Sequence, residues 1–293
     1  MQQISIPVCY FPGTALFVDD SRDFLLNFVL QLDESLAYRV YDSPFDAIEH
    51  IDKTQGERQM ISQRCLWEYK EHKQQGHNDP ALRALHSDVY NPHRFSDVSV
   101  VVVDYAMPGM DGLEFCRRIN NSHIRKILLT GKADEKLAIE AFNEGLIHRY
   151  IHKSDPHAAE LITRSVFELQ WQYFQDMSQI IERSLSLDSP ACFQDKAFVN
   201  FFRRFREEKG IVEFYQADKS GSLMLLDDDA NVSFLIVKSA KLADHLLTTY
   251  PVPGSEDYVY AHVSEPALFD LEHERVLSYH DHMQKIDVEE LIG

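Results

Sequence analysis

The chain has 293 residues, 44% of them hydrophobic, and a formal net charge of −18. That length allows one large domain or two ordinary ones with a real core, and the acidity excludes a strong non-specific grip on nucleic acid or an anionic membrane. No apolar run reaches the roughly 18 residues of a membrane span, and no basic stretch leads into a signal-like apolar segment. The four cysteines, Cys9, Cys65, Cys116 and Cys192, are scattered without metal-ligand or disulfide-framework spacing, so a soluble cytoplasmic protein is expected.

In chain order, TALFVDD (14–20) predicts a short apolar strand ending in two carboxylates, and RDFLLNFVLQL predicts a helix behind it. YRVYDS (38–43) predicts a second strand, with Pro44 starting a helix that carries Phe45, Ile48 and Ile51. VSVVVVD (98–104) predicts a third strand, and its unbroken apolar character fits a parallel sheet covered on both faces. LEFCRRI predicts a helix, RKILLTG a fourth strand ending at Thr130, and EKLAIEAFNEG a helix closed by Gly145. HRYIHK (148–153) predicts a fifth strand, and a further helix begins near Pro156. Alternating strands and helices imply a doubly wound α/β domain, which binds ligands beyond the carboxyl ends of its strands.

Asp19, Asp20, Asp104, Thr130 and Lys153 all fall at or just past those ends. No GxGxxG or phosphate loop follows the first strand, so nucleotide binding at that usual place is unsupported. Three converging acids repel one another, and a hard divalent cation such as Mg²⁺ would offset the repulsion. Asp104 then has the chemistry of a nucleophile toward a phosphoryl donor, with the Thr130 hydroxyl and the Lys153 ammonium suited to phosphoryl oxygens. One strand-end acid alone is ordinarily a solvated cap. Five such residues in this order are not explained that way.

The motifs FVDD (17–20), VVVVDYAMPGMDG (100–112), LLTG (128–131) and YIHK (150–153) closely resemble the receiver domain of bacterial two-component response regulators, over residues 13–160 apart from one insertion. The resemblance implies that Asp104 accepts a phosphoryl group from a phosphohistidine on a sensor histidine kinase or phosphotransfer protein. It also implies a Mg²⁺ ion held by Asp20, by Asp19 through water, by Asp104 and by the Ala106 carbonyl. Thr130 and Lys153 would be the switch hydroxyl and the family's lysine, and Tyr150 the aromatic whose rotation reports phosphorylation. The sequence departs from the family twice. Ser154 stands where proline usually follows the lysine, so the cis lysyl-proline bond cannot form there and the loop aiming Lys153 is open to change. Ala106 cannot hydrogen-bond a hydrolytic water, which predicts a long-lived phosphoryl group.

Residues 52–96 are an insertion. Met60, Ile61, Leu66, Trp67 and Tyr69 fit an amphipathic helix, GHNDP a turn, and ALRALHSDVY a shorter helix stopped at Asn91-Pro92. The expected arrangement is a helical hairpin on its own domain, with Trp67 as an alternative partner contact. His72, His77, His86 and His93 match no compact metal motif.

Residues 157–187 predict a long connector helix. Ile162, Val166, Leu169, Tyr173, Met177 and Ile180 recur at spacings of four and three, which reads as a parallel homodimer seam. The alternative is a second domain folded over this stripe.

Residues 190–293 predict an α+β domain with an antiparallel sheet. A phenylalanine-bearing helix (196–210) precedes strands IVEFYQAD, SGSLMLLDDD and NVSFLIVKS, then a helix AKLADHLLTTY, a strand YVYAHV and a closing segment. This region holds 19 acidic against 10 basic residues and no evident helix-turn-helix pair, so Arg203, Arg204 and Arg206 read first as the solvated face of that helix rather than a DNA reader. Asp227, Asp228 and Asp229 sit in an expected turn, and the pair His280 and His282 has no companion ligand in spacing. The sequence therefore points to a response regulator whose output is a protein partner or self-pairing. A receiver-controlled enzyme or ligand sensor is the alternative, and a DNA-binding regulator a weaker one.

Overall fold

The computed structural model describes residues 5–33, 36–57, 61–76, 79–92, 94–131 and 134–238, together with the backbone of three strands within 258–278. The chain divides into two compact units, residues 11–186 and residues 1–10 with 187–293. In order, the elements are β1 (Cys9–Tyr10), β2 (Thr14–Val18), α1 (Arg22–Val29), β3 (Tyr38–Tyr41), α2 (Pro44–Glu57), α3 (Ile61–Gln74) and α4 (Pro80–Ser87). Then follow β4 (Val98–Asp104), α5 (Gly112–Arg118), β5 (Arg125–Thr130), α6 (Glu135–Asn143), β6 (Arg149–His152), α7 (Ala158–Leu185) and α8 (Lys196–Glu208). The remaining strands are β7 (Ile211–Gln216), β8 (Leu223–Asp227), β9 (Val232–Lys238), β10 (Tyr258–Val263), β11 (Glu265–Asp270) and β12 (Arg275–Ser278).

The first unit is a five-stranded parallel sheet in the order β3-β2-β4-β5-β6. Side chains alternate between sheet faces along a strand, so the valine run of β4 serves two cores at once. Val101 and Val103 pack with Leu16, Val18, Ala47, Phe115 and Ala141 on one face. Val100 and Val102 pack with Phe17, Phe28, Ile127, Ile162 and Val166 on the other. This is why the run shows no polar alternation. A polar residue at any of these positions would be buried without a ladder role.

The insertion forms α2's extended end, α3 and α4, as expected of a hairpin of helices. α3 packs against both α4 and α7. Arg64 on α3 ties it down, with Nε 2.6 Å from Asp88 Oδ1 and Nη2 3.0 Å from Asp97 Oδ2. Trp67 is 62% exposed and takes no part in this core. His77 and His93 lie outside the described residues. Among those described, His72 meets the Ser87 hydroxyl, and the acidic group Asp19, Asp20 and Asp104 is the cluster with metal-ligand geometry.

The long helix is present as α7, and the first half of the stripe expected as a dimer seam is covered within the chain. Ile162, Val166 and Leu169 lie in the receiver core beside Phe17 and Phe28. Tyr173 and Met177 are buried within the same chain, and Phe174 meets Phe11 edge-on at 4.7 Å. Gln170 is 1% exposed, and its amide donates to the Gly13 carbonyl (2.6 Å) and to the Ser99 hydroxyl (3.2 Å). Apolar periodicity states that a helix face is covered, not by which chain. Here the receiver sheet covers the first half of the stripe.

The second unit is an antiparallel sheet in the order β1-β7-β8-β9-β10-β11-β12. β7, β8, β9 and β10 fall on the four predicted strands, and the closing segment contributes β11 and β12. The expected helix around Ala240–Tyr250 and the pair His280 and His282 lie outside the described residues. β1 was not anticipated, because two residues carry no period. α8 buries Phe198, Phe201, Phe202 and Phe205, and Phe202 meets Phe214 of β7 edge-on at 4.9 Å. Asp195 caps α8 by accepting the Phe198 amide at 2.9 Å.

Candidate functional site

The site is built at the carboxyl edge of the parallel sheet. β2 delivers Asp19 and Asp20 just past its last residue, β4 ends on Asp104, β5 ends on Thr130, and Lys153 follows β6. Asp104 pairs in register with Leu129, so Thr130 ends the neighbouring strand one step further on. The Lys153 amide donates to the Thr130 carbonyl at 3.0 Å, which fixes where the lysine leaves the sheet.

From there Lys153 Nζ reaches Asp19 Oδ2 at 2.5 Å and Asp104 Oδ1 at 2.9 Å. Its ammonium also lies 4.6 Å above the Phe24 ring of α1, a cation–π contact that steadies a charge leaving water. The substitution of Ser154 for the family's proline therefore leaves Lys153 aimed at both acids. A turn over 152–155, closed by the Asp155 amide on the His152 carbonyl at 3.1 Å, does the aiming.

Asp19 and Asp104 are almost fully buried, while Asp20 is exposed. Burial pushes the Asp19 carboxyl above its ordinary value. Lys153 and the Ser21 amide pull the other way, and the Asp104 charge adds to the rise. Burial works against the Lys153 ammonium too, but hydrogen bonds and charge from Asp19 and Asp104 outweigh it and raise its pKa. Carboxylate oxygens of Asp19, Asp20 and Asp104 come within 4.8 Å of one another. Lys153 thus serves two of the three acids while Asp20 adds a third carboxylate beside them, an arrangement that favours a further cation. An all-oxygen donor set suits a hard divalent ion, so the residues fit Mg²⁺.

The loop after β4 is held by its own backbone. The Gly112 amide donates to the Tyr105 carbonyl at 2.9 Å, and Asp111 caps α5 through the Glu114 amide at 2.7 Å. A Cβ at Gly112 would stand 2.3 Å from the Asp104 carbonyl oxygen, so only glycine lets α5 start against the site. Ala106 lies exposed in this loop. Tyr150 is half-buried on β6, edge-on to Phe142 at 6.5 Å.

Two contacts escaped the sequence reading. One is Phe24 over Lys153. The other is His152, whose Nδ1 lies 3.2 Å from the Thr130 hydroxyl, the two residues being direct partners across β5 and β6. Counting back one residue from Lys153 would have placed a histidine beside the threonine.

Residues 81–164 match the family described as response regulator receiver domain. That match begins inside the insertion, so Asp19 and Asp20 are placed by the fold. The solved structure of the Legionella pneumophila response regulator LqsR is 59% identical, with a TM-score of 0.71, covering 86% of this chain and 75% of that one. The chain belongs to the response regulators. A curated relative, the cyclic di-GMP phosphodiesterase response regulator RpfG of Xanthomonas campestris pv. campestris, is 34% identical over 95 residues, which are 31% of this chain. The match spans 24% of that protein's length.

Outside the receiver, the arginines of α8 divide. Arg203 and Arg204 are exposed, whereas the Arg206 guanidinium lies 4.1 Å from the Tyr10 ring and donates to the Ile211 carbonyl at 2.9 Å. Asp227 closes the hairpin from β8 to β9 by accepting the Asp229 and Asn231 amides at 3.1 and 2.8 Å. No described helix is long and apolar enough to cross a membrane.

Proposed function

We propose that this response regulator takes a phosphoryl group on Asp104 from a phosphohistidine of a sensor histidine kinase or phosphotransfer protein. The observation that carries the proposal is the Lys153 ammonium lying between Asp19 and Asp104 at the sheet's carboxyl edge, 2.5 and 2.9 Å away. A carboxylate oxygen of Asp104 bonds to phosphorus as the bond from phosphorus to the donor's imidazole nitrogen breaks. The nitrogen keeps the electron pair and regains a proton from solvent. Lys153 steadies the Asp104 carboxylate and lends positive charge to the transferring oxygens, while the Thr130 hydroxyl donates to one of them. Mg²⁺ held by Asp19, Asp20 and Asp104, with the Ala106 carbonyl, would supply neutralisation of the charge gathered there.

Tyr150 then moves toward the space that Thr130 leaves, and the surface of α6 and β6 changes. Because the first half of the α7 stripe lies in the receiver core, we assign transmission to α7, which precedes the second unit in the chain. Coiled-coil pairing along that stripe is not part of the reading. The second unit delivers the output to a protein partner or a second copy, as a shift of population rather than a new fold.

Incubation of the full chain with Mg²⁺ and phosphoramidate, read by intact mass, tests the acceptor. One phosphoryl group is expected on the wild type and none on Asp104→Asn. Equal labelling of that variant would remove Asp104 from the role. Decay of the labelled chain tests Ala106: Ala106→Asn is expected to shorten the phosphoryl lifetime, and an unchanged or longer lifetime would reject that expectation.

A further inference from the structure

The Thr130 hydroxyl is fully buried, and its side-chain partner among the described residues is His152 Nδ1, 3.2 Å away. The other ring nitrogen, Nε2, faces the Glu135 carboxylate of α6 at 3.8 Å. A carboxylate on that side favours the tautomer protonated at Nε2, which leaves Nδ1 to accept. In that tautomer the Thr130 hydroxyl donates to His152. A hydroxyl has one proton to donate. It cannot serve His152 and a phosphoryl oxygen together.

We infer that His152 is a positioning residue that holds the switch hydroxyl in the resting receiver, so that phosphoryl binding at Asp104 must first displace it. The latch is built from three elements: β5 supplies Thr130, β6 supplies His152, and α6 supplies Glu135. The His152 ring stands edge-on to Tyr150 at 6.3 Å, so its release reaches the aromatic on the same face of β6. The described partners of the His152 side chain are Thr130, Glu135 and Tyr150. His152 acts through Thr130 by setting how much of the phosphoryl group's interaction is spent on freeing the hydroxyl. A neutral hydrogen bond of this kind corresponds to about twofold to tenfold in apparent affinity.

This inference rests on the phosphoacceptor reading, and one experiment separates the two. Beryllofluoride with Mg²⁺, a mimic of the aspartyl phosphate, is titrated into the full chain and its bound form followed by fluorine NMR. Absence of binding to the wild type would overturn the acceptor reading and this inference with it. If the wild type binds, His152→Phe is expected to bind about twofold to tenfold more tightly. His152→Asn, whose side-chain oxygen sits near the position of Nδ1, is expected to return toward the wild type. In a Thr130→Val background the gain from His152→Phe should vanish, which a general loosening of β6 would not produce. A His152→Phe chain that binds no more tightly, or an equal gain with valine at 130, would overturn the latch alone. Should His152→Phe fail to fold, His152→Leu against His152→Asn makes the same comparison.

Discussion

The two edges of the receiver sheet both bury charge, and they do so in opposite ways. At the amino edge two arginines have acids of their own. Arg64 is clasped by Asp88 and Asp97, and Arg125 Nη2 meets Asp176 at 2.5 Å. Burial works against the Arg64 guanidinium, yet Asp88 and Asp97 raise its pKa regardless. At the carboxyl edge Lys153 serves Asp19 and Asp104 with Asp20 as a third carboxylate beside them, and burial pushes the Asp19 pKa up. A buried charge with matched partners fixes structure. A buried charge left short of partners is a standing demand for a ligand, and here that demand falls where the strands end and the loops begin.

The sharpest test of this contrast is Arg64→Met. Leaving Asp88 and Asp97 buried without their guanidinium should cost about 3–5 kcal/mol in urea unfolding, with any response to Mg²⁺ intact. A cost near zero would make the amino-edge cluster decorative. Gly112→Ala should cost about 1–3 kcal/mol and also slow phosphoryl uptake, since its Cβ presses on the Asp104 carbonyl. Loss of stability with unchanged uptake would separate the loop from the site.

Asp19→Asn works in the other direction. A carboxyl whose folded pKa is raised costs stability once ionised, so its contribution is fully present below the unfolded value and is lost as pH rises through the folded one. At neutral pH the variant should be about 0.5–2 kcal/mol more stable without metal, and a rise in midpoint on adding Mg²⁺, expected of the wild type, should be absent from it. A less stable Asp19→Asn chain would mean that the acid is structural after all.

The smallest effect belongs to His148, on the amino side of β6. Burial, with the Arg125 and Lys126 charges adding to it, lowers its pKa from 6.5 to about 4. The unfolded chain therefore binds the proton more readily, so this contribution is complete above about pH 6.5 and is lost as pH falls toward 4. Solvent screening of a partly exposed ring reduces it to on the order of 1 kcal/mol. The difference in urea midpoint between wild type and His148→Gln should shrink over that window, and a constant difference would reject the assignment.

The receiver was legible because its signals are local. Each strand is a short apolar run, and each candidate site residue ends or directly follows one, so the parallel topology alone gathers Asp19, Asp20, Asp104, Thr130 and Lys153. The α8 phenylalanines and the β7–β9 meander were legible for the same reason. The Arg64 clasp was not, because its three members are 24 and 33 residues apart and share no period. The two residues of β1 were likewise invisible until a partner strand existed. The α7 stripe was read as a dimer seam because a pattern of fours and threes is identical whether the covering surface comes from another chain or from this one.

The sequence by itself determined the parallel core and the acids at its rim, since side-chain alternation and strand ends follow from backbone geometry within a few residues. Only the tertiary structure decided what covers α7, which acids clasp Arg64, and that His152 stands against Thr130. Those depend on register and packing between segments far apart in the chain, and such contacts come into being only when the sheet has formed.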